Sequence, residues 1–275
     1  MMMGFSRLAI NGSDSGSMQP FNDNNVRLMC NAEVFNHKDL ERTLGYTPKS
    51  GSDCEVLVEG YKRWMFPELC SRVDAEFAMV VHDVDSKVLW VARDPYGVRP
   101  LYWGTTENGT YVFSSELKGL CRMCMTSEQF NPGWFMGISL TGNPEIFQYN
   151  PYTKLTLGPR LLMDQSDAAG RVATLLEEAV KKRLMCQNGG VCCLLSGGLD
   201  SSLVAALAQK NSDLPISTYS IGMEGSPDLE YAKKVADHIG SIHTTVCCPK
   251  EEFLEAIPRV VADIESYDVT TIRAS

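Results

Sequence analysis

The chain has 275 residues, 44% of them hydrophobic, and its 25 Lys+Arg against 34 Asp+Glu leave a net charge of -9. That length favours two domains over one, and the acidic balance supplies no basic field to gather phosphate backbones, so no nucleic-acid partner is expected. No apolar run reaches the roughly 18 to 20 residues of a membrane span, and residues 1–7 lack a basic segment followed by an apolar one, so no membrane partner or export is expected either. Ten cysteines sit mostly within apolar runs of a chain too large to need disulfide staples, which fits the reducing cytoplasm. Cys121 and Cys124 form a C-x-x-C with no second pair or nearby histidine to complete a zinc site, and read as ordinary thiols.

In chain order, residues 27–104 show short alternating runs broken by turn formers, the pattern of strands. Residues 77–82, the turn 83–87 and residues 88–93 predict a hairpin. Apolar residues at helical spacing over 36–44 and 55–64 add helices, giving an α+β first domain with an antiparallel sheet. The stretch 141–159 is rich in turn formers and predicts the end of that domain. Ser166-Asp167 then predicts the cap of a helix whose Val172, Leu175, Leu176, Ala179 and Leu184 make one apolar face, with Lys181-Lys182-Arg183 where the helix dipole favours cations. Runs at 191–195, 216–221 and 243–247 alternate with helical patterns at 200–209, 229–239 and 251–264, which predicts parallel βαβ units. The expected division is 1–160 and 161–275.

The sharpest local signal is Leu194-Leu195-Ser196-Gly197-Gly198-Leu199-Asp200-Ser201-Ser202 between a strand and a helix. The two glycines allow a tight turn and a close backbone approach, while N–H groups of the loop and helix start cradle an anion. Ser196, Ser201 and Ser202 add hydroxyl donors. Asp200 would repel bare phosphate, so a Mg2+ ion between the two is expected, with Asp200 as its ligand. The loop lacks the G-x-G-x-x-G of a dinucleotide fold and the G-K-[ST] of a Walker loop. It resembles the pyrophosphate loop of the ATP-pyrophosphatases, which implies ATP binding by Leu194, Leu195, Ser196, Gly197, Gly198, Asp200, Ser201 and Ser202. In that family the next strand end, with Ile221, Gly222 and Asp228, holds adenine and ribose.

From about residue 4 to residue 275 the chain resembles glutamine-hydrolysing asparagine synthetases. The matching strings are Gly4-Phe5-Ser6-Arg7-Leu8-Ala9-Ile10, Asn31-Ala32-Glu33-Val34-Phe35-Asn36-His37, Gly51-Ser52-Asp53-Cys54-Glu55, Arg93-Asp94-Pro95-Tyr96-Gly97-Val98-Arg99-Pro100-Leu101 and Ser114-Ser115-Glu116. The resemblance implies an N-terminal nucleophile-hydrolase-like amidotransferase domain and then a partial α/β domain of the adenine-nucleotide α-hydrolase type. It implies a glutamine pocket of Arg7, Leu8, Ile10, Asn31, Ala32, Glu33 and Asp53. There Arg7 suits an α-carboxylate, Glu33 and Asp53 an ammonium, and Asn31 with the Ala32 N–H an oxyanion hole. The string 267–275 resembles asparagine synthetases specifically, and places Thr270, Thr271 and Arg273 on the aspartate and adenylate side.

The resemblance also has gaps. Class II amidotransferases use an N-terminal cysteine as nucleophile with its own α-amine as base. Here Met1-Met2-Met3 opens the chain and Ala32 stands where the family has glycine. The later pyrophosphate-binding loop and the phosphate-contacting lysine are also not found, so the expectation is a piece open at both ends, without glutaminase activity alone and with apolar surface uncovered in its second domain. The reading is ATP-dependent amidation of aspartate through β-aspartyl-AMP, with glutamine as nitrogen donor. The alternative is a non-catalytic glutamine- or nucleotide-binding module, self-associating as a homo-oligomer or paired with a full-length synthetase. A related ligase adenylating another acid is a third reading, and the 267–275 string argues against it.

Overall fold

The computed structural model describes residues 1–140, 146–149, 164–184 and 190–266, with backbone only for 146–149. The chain separates into two compact units, Met1–Leu161 and Leu162–Ser275.

The first unit is built on a six-stranded sheet of β1 (Phe21–Asp23), β2 (Val26–Val34), β3 (Ala75–Asp83), β4 (Val88–Arg93), β8 (Phe135–Ser139) and β9 (Ile146–Tyr149), hydrogen-bonded in that order and antiparallel throughout. The period of two along these strands divides their side chains between two cores. On one face Leu28, Cys30, Val34, Phe77, Met79 and Val81 pack with Leu57, Phe66 and Leu69. These last come from α2 (Val56–Arg72), which pairs with α1 (His37–Leu44). On the other face Ala78, Leu89, Val91, Met136 and Ile138 pack with Leu101 and Phe130. A three-stranded antiparallel sheet, order β6-β5-β7, lies to this side, formed by β5 (Tyr102–Thr105), β6 (Tyr111–Ser114) and β7 (Thr126–Gln129).

The hairpin of β3 and β4 and the helix over 37–44 fall where the periodicity puts them. The helix expected over 55–64 ends as expected, at the non-helical Met65 (φ 64°), and a second helical segment with Pro67 near its start carries α2 on to Arg72.

The second unit holds a parallel sheet, order β10-β11-β12, from Cys192–Leu194, Ser217–Gly222 and Ile242–Cys247. Its helices are α3 (Gln165–Leu184), α4 (Leu199–Lys210), α5 (Pro227–Ile239) and α6 (Lys250–Ile264). Small residues let α4 and α5 approach the sheet: Ala205, Ala232 and Ala236 are buried with Leu195. Beneath α5 lies a polar layer in which the His243 ring meets Thr218 Oγ1 (2.9 Å) and Ser220 Oγ (3.2 Å), so these buried hydroxyls are satisfied.

Two expectations for α3 are corrected. Its cap is Asp164 rather than Ser166-Asp167, since Asp164 Oδ1 accepts from the Gln165 N–H (2.8 Å) and its other oxygen from the Ser166 hydroxyl (2.6 Å). Its apolar stripe packs only toward the C-terminal end: Val180 is buried with Ala208 and Ile216, whereas Val172 and Leu175 are exposed.

Because strand side chains alternate, the sheet face opposite α5 carries Leu194, Tyr219, Ile221, Ile242 and Val246, all exposed. Parallel sheets normally have both faces covered, so this is apolar surface of the kind that sustains contacts. Among the described residues no helix is long and apolar enough to cross a membrane.

Candidate functional site

A cavity of about 750 Å³ opens between the two sheets of the first unit, and Arg7, Leu8, Ile10, Asn31, Ala32, Glu33 and Asp53 all line it. Gln19, Arg99 and Glu116 are among its other polar lining residues, and the core thiols Cys30 and Cys54 border it. Asn31 and Glu33 reach it because they alternate along β2 with Cys30 and Val34, which pack into the helix-side core.

Asp53 is buried, and its Oδ2 accepts the Val34 N–H at 2.6 Å, fixing the end of β2. The neighbouring Glu55 accepts from Tyr46 Oη, Ser50 Oγ and the N–H groups of Lys49 and Ser50. Burial alone would raise its pKa, yet the Ser50 and Tyr46 hydroxyls and those N–H groups bring the carboxyl below its ordinary range. Arg7 is partly committed: Nη2 donates to the carbonyls of Asn11 (2.9 Å) and Gly12, and Nη1 to that of Asp14 (3.4 Å). Asp14 in turn accepts from Ser17 Oγ and the Gly51 N–H, stitching residues 7–17 to the Asp53 loop. A carboxylate ligand would therefore share the Arg7 fork with this loop.

Two thiols line the cavity. Cys54 donates to the Ala32 carbonyl (3.6 Å), and the adjacent Cys30 thiol, then burial, push the Cys54 thiol well above the ordinary cysteine range. At neutral pH it is a thiol rather than a nucleophilic thiolate.

Arg99 and Glu116 belong to strings quoted above, but only the fold gives them a place. Arg93 is buried and donates to the carbonyls of Arg99 (2.7 Å), Phe130 (2.8 Å) and Gly97 (2.7 Å). Asp94 accepts from the N–H groups of Tyr96, Val98, Arg99 and Phe77. This folds residues 93–99 into a knot that delivers the Arg99 side chain to the cavity.

In the second unit the loop after β10 runs from Leu195, whose N–H bonds the Tyr219 carbonyl (2.8 Å), to the start of α4. Gly197 has φ 78°, and a Cβ there would lie 2.5 Å from the Ala232 nitrogen and 2.6 Å from Tyr231 Cβ, so the loop rests directly on α5. Ser201 Oγ accepts the Ser196 N–H (3.2 Å) and lies 2.9 Å from Ser196 Oγ. Asp200 and Ser201 lie in the first turn of α4. The Ser202 hydroxyl is buried and without a hydrogen-bond partner. Ile221 and Gly222 end β11 beside this loop, and Asp228 is in the first turn of α5. Thr270, Thr271 and Arg273 lie outside the described residues.

The family described as glutamine amidotransferase domain matches residues 1–167, and that described as asparagine synthase matches residues 171–275. The chain belongs to the asparagine synthetase family. It is 38% identical to a probable asparagine synthetase (glutamine-hydrolyzing) of Acanthamoeba polyphaga mimivirus over 100% of its own length and 53% of that protein. It is 36% identical to asparagine synthetase (glutamine-hydrolyzing) of Gallus gallus over 99% of the chain and 53% of the relative. The chain thus spans about half the length of these curated asparagine synthetases. Among solved structures, the glutamine phosphoribosylpyrophosphate amidotransferase of B. subtilis aligns with a TM-score of 0.44 and 16% identity, over 88% of this chain and 54% of that one. In this family member, an α+β amidotransferase domain with antiparallel sheets precedes an α/β domain with a parallel sheet.

Proposed function

We propose that the chain takes part in glutamine-dependent formation of asparagine from aspartate, with glutamine held in the first unit and Mg-ATP at the loop 194–202 of the second. The observation that carries this reading is the convergence of all seven glutamine-site candidates on one cavity. In the proposed reaction water cleaves the glutamine amide to glutamate and ammonia, ATP and aspartate give β-aspartyl-AMP and pyrophosphate, and ammonia displaces AMP.

For ATP, the support is a cradle at Gly197 that admits no side chain and a buried Ser202 hydroxyl that lacks an acceptor or donor. The residues present fit Mg2+ as well, since that ion uses one or two carboxylates together with substrate phosphates, and Asp200 is one such carboxylate in the first turn of α4. When bound, the ion would screen the phosphates from Asp200. The proposed compartment is the cytoplasm, in keeping with thiols kept reduced.

Calorimetric titration of the chain with L-glutamine and with Mg-ATP tests both halves. Asp200→Asn is expected to weaken Mg-ATP about tenfold or more while shifting stability by less than about 0.5 kcal/mol, because the side chain is exposed. Equal Mg-ATP affinity in parent and variant would remove this loop from the nucleotide site, and absent glutamine heat would remove the cavity.

A further inference from the structure

Glu33 and Glu76 are directly opposed across the β2–β3 ladder. Like charges at such positions repel and tend to turn apart. Between them stands the Arg99 guanidinium, with Nη2 3.5 Å from Glu33 Oε2 and 3.8 Å from Glu76 Oε2. All three side chains are shielded, at 24%, 20% and 18% exposure for Arg99, Glu33 and Glu76, so screening by water is reduced. Arg99 has little freedom to leave: its N–H is held by Asp94 Oδ2 (3.0 Å) and its carbonyl by Arg93 Nε (2.7 Å). The other charged groups on the cavity wall are Arg7, Asp53 and Glu116. Of these, Arg7 donates to main-chain carbonyls and Asp53 accepts the Val34 N–H.

We propose that Arg99 is a positioning residue for the ammonium end of the cavity, holding Glu33 turned toward the ligand by bridging it to Glu76. This rests on the glutamine reading of the cavity. Without the bridge, the two carboxylates would separate and Glu33 would leave the place where it meets an α-ammonium. The consequence is selective. Glutamine should suffer, whereas glutaramate, which has the same amide and carboxylate but no ammonium, should not.

The test is calorimetry with both compounds on the full chain and on Arg99→Gln, Arg99→Lys, Glu76→Gln and the double variant Arg99→Gln/Glu76→Gln. Arg99→Gln is expected to reduce the preference for glutamine over glutaramate about tenfold, the scale of one charged contact. Arg99→Lys and Glu76→Gln should stay within about threefold of the parent, since a charge remains or a repulsion is gone. The double variant should regain most of the preference. An unchanged preference in Arg99→Gln overturns the assignment, as does a double variant no better than Arg99→Gln. If Arg99→Gln does not fold, a folded double variant that prefers glutamine upholds the role and one that does not overturns it. A parent that binds no glutamine removes the reading of the cavity itself and this role with it.

Discussion

Gly197→Ala is expected to destabilise the second unit by about 3 kcal/mol or more, through left-handed backbone strain and overpacking together. The residue sits at φ 78°, where a side chain is strained even in open space. Here the space is not open: the nearest atom to a Cβ would be the Ala232 backbone nitrogen at 2.5 Å, which cannot rotate aside as a side-chain tip could. Relief requires α5 to move off the loop, and α5 is held there by Ala232 and Ala236 in a core made largely of small residues. Gly198→Ala is the control. Its Cβ would meet only Ser196 Oγ at 3.4 Å, an ordinary contact, at a φ of -71°. Urea denaturation should therefore separate the two, with Gly198→Ala within about 1 kcal/mol of the parent. If both variants unfold at the parent midpoint, the close approach of loop and helix is not real.

The difference between neighbouring glycines illustrates what a sequence can disclose. The string 194–202 announces a turn between strand and helix, and the periodicity on either side places β10 and α4 almost to the residue. It does not say which glycine is compressed, because that depends on α5, more than thirty residues later. The first unit shows the same boundary. The β3–β4 hairpin is legible because Asp83 to Lys87 separate two apolar runs of strand length, whereas β7, with Thr126-Ser127-Glu128-Gln129 all exposed, has no apolar pattern to read. The second half of α2 is hidden by Met65 and Pro67. Seven cavity residues were accessible through strings resembling a known family, yet the partnership of Arg99 with Glu33 and Glu76 was not. It arises from the β2–β3 register and from the way Arg93 and Asp94 gather groups as distant as Phe130 and Phe77.

Asp94→Asn should accordingly cost far more than its near-identical shape suggests. Asp94 is buried, and each of its oxygens accepts two backbone N–H groups: Oδ1 from Tyr96 and Val98 (3.0 Å each), Oδ2 from Arg99 (3.0 Å) and Phe77 (3.3 Å). An asparagine keeps one oxygen and turns the other position into an N–H2 group, so one pair of backbone donors confronts a donor. Neither orientation of the amide avoids this, because both oxygens are doubly used. Two N–H groups lose their acceptor and the remaining two lose a charged one, a loss of about 3 kcal/mol. Three of those donors, Tyr96, Val98 and Arg99, lie in the segment that carries Arg99, so the variant should also weaken glutamine binding in whatever fraction remains folded. Asp39→Asn in α1 is the comparison. Asp39 pairs with Arg42 on an exposed helix surface, and its change should stay within about 0.5 kcal/mol. Equilibrium unfolding in urea, followed by the fluorescence of the four tryptophans, of which Trp90 lies in β4 just before Asp94, measures both. Equal midpoints for the two variants would mean that the 93–99 knot does not depend on the Asp94 carboxylate, and the route by which Arg99 reaches the cavity would have to be redrawn.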